Sequence, residues 1–199
     1  LAICCAGACE YLDMPNFDSE SFMKVMSVNM GTLSHAIEGV LPKLIASKGR
    51  LVGLGSASAY VPFARAEAYG SSKAAIHYLM KTLQISLAPF DVAVSLVVPG
   101  FVDTPMTEQN DFPMPFLVSA EDAAGRIVKG LRKGRNEIAF PKRFTWTLKA
   151  LGALPQGLID RALAMEVICQ RYGVPLKAAA LQFPLGHPAV ATVLTGVRS

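Results

Sequence analysis

Short runs of uninterrupted apolar residues, set apart by long helical patterns, constrain this chain more than any other feature. Leu1–Cys5, Leu51–Leu54 and Val92–Val98 are such runs, and Glu137–Phe140 reads as a fourth short strand. A strand with water on one face alternates apolar and polar residues, so a strand that is apolar throughout is covered on both faces. The segments between the strands supply that cover. Asp18-Ser19 can cap a helix that runs to about Ala46, with apolar positions at Phe22, Met26, Leu33, Ile37, Val40 and Leu44. Glu67 to about Leu87 is a second long helix, and Ser119-Ala-Glu-Asp122 opens a third that ends at Gly134. The expected fold is α/β, a doubly wound parallel sheet whose ligands sit beyond the carboxyl ends of its strands. Phe101–Val118 is an irregular loop beside a strand end, and a loop of that length in a compact domain reads as a lid.

Composition narrows the class further. With 199 residues, 52% of them hydrophobic and 17% charged, the chain is too apolar for intrinsic disorder. Ala178–Val197 is uncharged, but Pro184, Gly186 and Pro188 make it a poor membrane span. No basic segment leads into a long apolar stretch as a secretory leader would, and opening on Leu1 suggests that the natural start lies elsewhere. Cys4, Cys5, Cys9 and Cys169 lack the paired spacing of a zinc site, so the expectation is no metal, and reduced, largely buried thiols of a cytoplasmic protein. His35, His77 and His187 are isolated and read as surface or packing residues. Eight basic residues and one acid, Glu137, lie between Arg126 and Lys149, leaving eleven basic against fourteen acidic residues elsewhere. No nucleic-acid motif accompanies that segment. It reads first as a solvated helix face, and second as a contact with an anionic membrane surface through residues 126–165.

The second long helix carries the strongest chemical signal. Tyr69 and Lys73 are four apart and share a helix face, in line with Ile76, Met80, Leu83 and Leu87. A lysine in that apolar stripe either snorkels to water or stays near Tyr69. In the second case it would lower the phenol's pKa from about 10, making Tyr69 a proton donor or acceptor near neutrality. Ser56 follows the Leu51–Leu54 strand, where it either ends the strand or serves the same site. Asn29 falls on the apolar stripe of the first helix, where a buried amide requires partners. Bracing the neighbouring strand is its structural reading.

Together these residues resemble the short-chain dehydrogenases/reductases. Gly55-Ser-Ala-Ser and Tyr69-Gly-Ser-Ser-Lys73 resemble that family's catalytic signature. Around them, in the family's order, stand Cys5-Ala-Gly7, Asn29 within Val-Asn-Met, and Pro99-Gly-Phe-Val-Asp-Thr104. The resemblance covers about residues 1–165 and implies a Rossmann-like sheet, here partial. It implies an oxidoreductase that moves hydride between NAD or NADP and a small carbonyl or alcohol substrate. In that reading Tyr69 is the general acid or base, and Ser56 polarises the substrate oxygen. Lys73 holds the nicotinamide ribose, and Asn29 holds a water that links Lys73 to solvent. Ala6, Gly7, Pro99, Gly100, Val102 and Thr104 join Tyr69 and Lys73 in lining the cofactor. Self-association into a homo-oligomer is a further expectation.

Two departures accompany the resemblance. Cys5 stands where the family has an asparagine that braces the central strands. No Gly-x-x-x-Gly-x-Gly precedes Leu1, so the loop that holds the pyrophosphate and the residue that selects NAD or NADP are not seen. Residues 166–199 resemble instead the end of an aldo-keto reductase, a fragment of a β/α barrel. Strands are expected around Ala179–Phe183 and Ala191–Thr195, with Gly196, Arg198 and Ser199 opening a phosphate-binding loop. The expected join between two reductase fragments lies near Met165–Glu166. The alternative to an active enzyme is a catalytically incompetent remnant unable to bind the dinucleotide.

Overall fold

The apolar runs form strands. In the computed structural model, which describes residues 1–173 and Ala178, β1 (Ala2–Cys4), β2 (Arg50–Leu54), β3 (Ala93–Pro99) and β4 (Glu137–Phe140) make one parallel sheet in that order. Leu51 stands beside Ala2 on one side and Val94 on the other, so the three strands end level with one another. Alternate residues feed two cores. Leu51, Val94, Leu96 and Val98 pack on one face with Ile37, Ile76 and Met80, whereas Val52, Val97 and Ile138 pack on the other with Ala123. Both faces are therefore covered, as uninterrupted apolar strands require.

The helices on the first face are α1 (Ser19–Met26), α2 (Thr32–Ala46), α3 (Glu67–Ser86) and α5 (Lys142–Gly152); α4 (Ala120–Arg132) lies on the second. Asp18 caps α1 by accepting the Glu20 and Ser21 N–H groups at 2.9 and 3.2 Å, and Ser119 caps α4 through Asp122 N–H at 3.1 Å. The expected helix from Asp18 to about Ala46 is continuous but is not α-helical throughout. A π turn, Ser27–Gly31, separates α1 from α2, and the Thr32 N–H reaches back five residues to the Ser27 carbonyl. The wider turn carries Asn29, whose polar side chain then finds partners inside.

The basic segment is spread over α4 and α5 on opposite sides of the sheet, with most of its charges exposed and two of them paired. Arg126 pairs with Asp122 at 2.9 Å, and Lys149 pairs with Glu137. Among the described residues no helix is long and apolar enough to cross a membrane. Contacts divide the chain into a unit Leu1–Gly152 and a unit from Ala153 onward. Within the second unit, α6 (Gln156–Arg171) runs unbroken through Met165 and Glu166. The strands expected around Ala179–Phe183 and Ala191–Thr195, and the loop at Gly196, Arg198 and Ser199, lie outside the described residues.

Candidate active site

Residues that follow β1, β2 and β3 meet at the carboxyl edge of the sheet because the strands are parallel and in register. Ser56 comes directly after β2 and Gly55. Its Oγ accepts hydrogen bonds from the Ser58 N–H at 3.2 Å and the Ser58 hydroxyl at 3.0 Å. A hydroxyl has two lone pairs and one proton, so with both lone pairs engaged Ser56 can only donate outward. Tyr69, in the first turn of α3, lines the same wall as Ser56. Desolvation in this wall pushes the Tyr69 phenol up to about 12, with Ser56 pulling the other way.

Lys73 lies one turn further along α3 and is buried. Its Nζ donates to the Leu54 carbonyl at 3.1 Å and stands 5.5 Å from the centre of the Tyr69 ring. It does not snorkel. Burial pulls its ammonium down to about 8. The expectation that Lys73 lowers the Tyr69 phenol is corrected here: loss of water around the phenol is the larger effect, and the ammonium is turned to a backbone carbonyl.

Asn29 is fully buried and links three elements. Its Oδ1 accepts the Ala8 N–H at 2.7 Å, and its Nδ2 donates to the Ala8 carbonyl at 3.0 Å and to Ser72 Oγ at 2.8 Å. Ser72 in turn donates to the Tyr69 carbonyl at 2.7 Å. The amide thus ties the loop after β1 to the turn of α3 that carries Tyr69. Gly7 packs against the same group. A methyl group on Gly7 would lie 3.4 Å from Asn29 Oδ1 and 3.5 Å from Lys73 Nζ. The bare glycine leaves a small polar space between the amide oxygen and the ammonium. Ala6 beside it is exposed.

Ser56, Tyr69 and Gly100 open onto a cavity of about 410 Å³. The expected lid, Phe101–Val118, supplies much of its wall, including Phe101, Met106, Thr107 and Phe112; Phe144 and Leu148 of α5 add to it. That loop is fastened to the opposite rim. Arg65 pairs with Asp13 at 2.8 Å and with Asp111 at 3.1 Å, and the Tyr11 hydroxyl donates to Asn110 Oδ1. Pro99 ends β3. Val102 bridges to Val118, and Thr104 sits in a closed turn, its N–H donating to Thr107 Oγ1 at 3.0 Å and its hydroxyl to the Val102 carbonyl at 3.3 Å. Val102 and Thr104 lie behind the cavity wall, at the root of the loop.

The family model for short chain dehydrogenase matches residues 2–113. The chain belongs to the short-chain dehydrogenase family. An uncharacterized oxidoreductase of Myxococcus xanthus is 33% identical over 139 residues, which are 69% of this chain and 55% of that protein. The chain spans about half the length of the curated relatives it matches. A short chain dehydrogenase from Burkholderia cenocepacia J2315, solved in complex with NADP, superposes with a TM-score of 0.69 at 24% identity, over 78% of this chain and 65% of that one. A family member from Burkholderia phymatum in complex with NAD gives 0.65 at 18% identity, over 72% and 62%. These likenesses show the fold.

In this member of the family one residue at the site escapes a motif search. His77, one turn beyond Lys73 on α3, is buried, and its Nε2 accepts the Ser56 N–H at 3.4 Å. Its ring meets that of Tyr60 edge-on at 5.4 Å, and burial pulls its pKa down to about 4, so it is neutral. The signal was its place four residues after Lys73 on the buried stripe. The cysteines correct another expectation: Cys5 is exposed and Cys4, Cys9 and Cys169 are only partly buried. Cys4 and Cys5 sit at the end of β1, which pairs with β2 alone among the described strands, and Cys9 lines the cavity.

One glycine pattern is misleading. Gly49-Arg-Leu-Val-Gly53-Leu-Gly55 has the spacing of a phosphate loop but runs along β2. A methyl group on Gly53 would lie 2.6 Å from Met80 Sδ, and one on Gly55 2.4 Å from His77 Nε2. These glycines admit α3 against the sheet and leave no opening for a phosphate.

Proposed function

We propose that this chain is an NAD(P)-dependent oxidoreductase acting on a small carbonyl or alcohol, with Tyr69 as general acid and base. The observation that carries the reading is the pairing of Ser56 with Tyr69 on the wall of one cavity, with Lys73 buried behind them. When bound, the nicotinamide exchanges hydride with the reacting carbon. Lys73 fits the nicotinamide ribose, because its Nζ gives one bond to the Leu54 carbonyl and has hydrogens left to donate. Ala6, Pro99, Gly100, Val102 and Thr104 lie at or just beyond the same strand ends and would flank that half of the cofactor.

The proton chemistry follows from the hydrogen-bond arithmetic. Ser56 donates its proton to the substrate oxygen and holds that oxygen against Tyr69. A phenol held near 12 is protonated at neutral pH, so it gives its proton to the oxygen as negative charge builds there. Loss of the proton leaves a phenolate, and the buried Lys73 ammonium, 5.5 Å from the ring centre, stands on the route by which the proton would return. A water in the space beside Gly7, held by the second lone pair of Asn29 Oδ1, would return the proton through Lys73. Asn29 also positions Tyr69 through Ser72.

A second reading, a chain that keeps the acid–base residues but holds no dinucleotide, is favoured by one observation. Among the described residues no glycine-rich turn leads into a helix at the carboxyl edge, and the spacing in β2 is closed by Met80 and His77. The aldo-keto reductase resemblance expected of residues 166–199 finds no support in these comparisons, and neither reading uses it. Thermal unfolding of the 199-residue chain with millimolar NADH or NADPH decides between them. A ligand at about a hundred times its Kd adds about 2.7 kcal/mol to the folded state, which is a rise of several degrees in Tm. A rise with either nucleotide supports the oxidoreductase; an unchanged Tm with both supports the second reading.

A further inference from the structure

The cavity beside Ser56 and Tyr69 has a lining that selects its occupant. Among the described residues no Lys, Arg, His, Asp or Glu lines it. Its three ionisable liners, Cys9, Tyr11 and Tyr69, all have their pKa raised, chiefly by burial, and are neutral at pH 7. The remaining wall is largely apolar and includes four phenylalanines, Phe63, Phe101, Phe112 and Phe144. Phe101 lies 5.5 Å from Phe144 and 6.1 Å from Phe112, ring centre to ring centre, and Tyr11 meets Phe112 edge-on at 6.2 Å. A carboxylate or phosphate in that enclosure would lose its water and gain no counter-charge, whereas ring carbons would find close contacts throughout.

The polar groups on the wall are nearly all committed. Ser58 donates to Ser56, and Ser56 and Tyr69 face the reacting oxygen. Thr107 Oγ1 donates to the Val102 carbonyl at 2.7 Å and accepts the Thr104 N–H at 3.0 Å. Tyr11 donates to Asn110 Oδ1. What is left is the Asn110 amide nitrogen, whose partner is the Met114 sulfur at 3.1 Å, a weak acceptor. An oxygen on the occupant would replace that contact with a stronger one.

Building on the oxidoreductase reading, we propose that the substrate is a bulky, uncharged, ring-containing ketone, or its alcohol, that carries a second acceptor oxygen read by Asn110. The reacting carbonyl lies against Ser56 and Tyr69, the rings pack among Phe101, Phe112 and Phe144, and the second oxygen accepts from Asn110 Nδ2. Substrates with a free carboxylate or phosphate are disfavoured, since no cation stands on the wall among the described residues.

Calorimetric binding to the 199-residue chain without nucleotide tests this, using 9-fluorenone, its 4-carboxylic acid methyl ester and the free 4-carboxylate. The ester should bind about three- to tenfold more tightly than fluorenone, the gain of one hydrogen bond. The carboxylate should bind at least about tenfold more weakly than the ester. Asn110→Leu should abolish the ester's advantage over fluorenone. Asn110→Asp, which keeps the shape and the Tyr11 contact but loses the donor, should do the same. A carboxylate that binds as tightly as the ester, an ester advantage that survives in Asn110→Asp, or no binding of any of the three overturns the proposal. None of these readouts needs turnover. An ester that binds as described yet is never reduced with NADH or NADPH contradicts the oxidoreductase reading alone.

Discussion

At the scale of single residues the site depends on side chains whose protonation is set by burial. His77 is the clearest case for stability. Its folded pKa is about 4 against an ordinary 6.5, chiefly because the buried ring is desolvated, with Lys81 adding repulsion. Below pH 6.5 the unfolded chain takes up a proton that the folded chain refuses, so stability falls as pH drops from about 6.5 to about 4. The full loss amounts to about 3 kcal/mol. His77→Gln, which can still accept the Ser56 N–H, should flatten that part of the stability profile in urea titrations. An unchanged slope would show that other groups carry the acid sensitivity. Lys73 works in the opposite range. Its folded pKa of about 8 lies below the ordinary 10.5, so the penalty of burying the ammonium is present in full below pH 8 and is relieved as pH rises from there towards 10.5.

Packing between elements turns on what stands opposite each glycine. Gly125 and Gly130 are both inside α4, so alanine at either gains about 1 kcal/mol of helix propensity. A methyl on Gly125 meets nothing within 4 Å, but one on Gly130 would lie 2.7 Å from two carbons of the buried Ile138 on β4. Gly125→Ala should therefore stabilise by up to about 1 kcal/mol. Gly130→Ala should destabilise by about 1–2 kcal/mol, since overpacking a branched side chain outweighs the propensity gain. Chemical denaturation of the two variants checks the sign of each; a stabilised Gly130→Ala would mean that α4 sits more loosely on the sheet. Elements of this kind were legible in the sequence because burial on both faces leaves an unbroken apolar run, as in Val92–Val98. The π turn at Ser27–Gly31 was not, since a single wider turn leaves the apolar spacing of α1 and α2 almost intact. Tyr69 and Lys73 could be paired from their spacing, but the direction of the Tyr69 shift could not. It depends on how much water the walls contributed by Phe101–Val118 and α5 exclude, and those walls come from distant parts of the chain.

For the molecule as a whole, the parallel sheet brings the ends of three strands to one edge, and that edge carries the candidate site. Ser56 comes from the end of β2, Gly7 from beyond β1 and Gly100 from beyond β3, while α3 lays Tyr69 and Lys73 across them. The histidine behind Ser56, the neutral cavity and the fastening of the Phe101–Val118 loop by Arg65 follow from that assembly and have no local motif. The central claim is that Tyr69 transfers the proton in a nicotinamide-dependent reduction. It is tested most directly by the rate at which the 199-residue chain consumes NADPH or NADH with the fluorenone ester, measured beside Tyr69→Phe. The expected result is turnover by the natural chain and a loss of about 10²–10⁴-fold in Tyr69→Phe, with the nucleotide-induced rise in Tm retained. Equal rates in the two proteins would contradict the account.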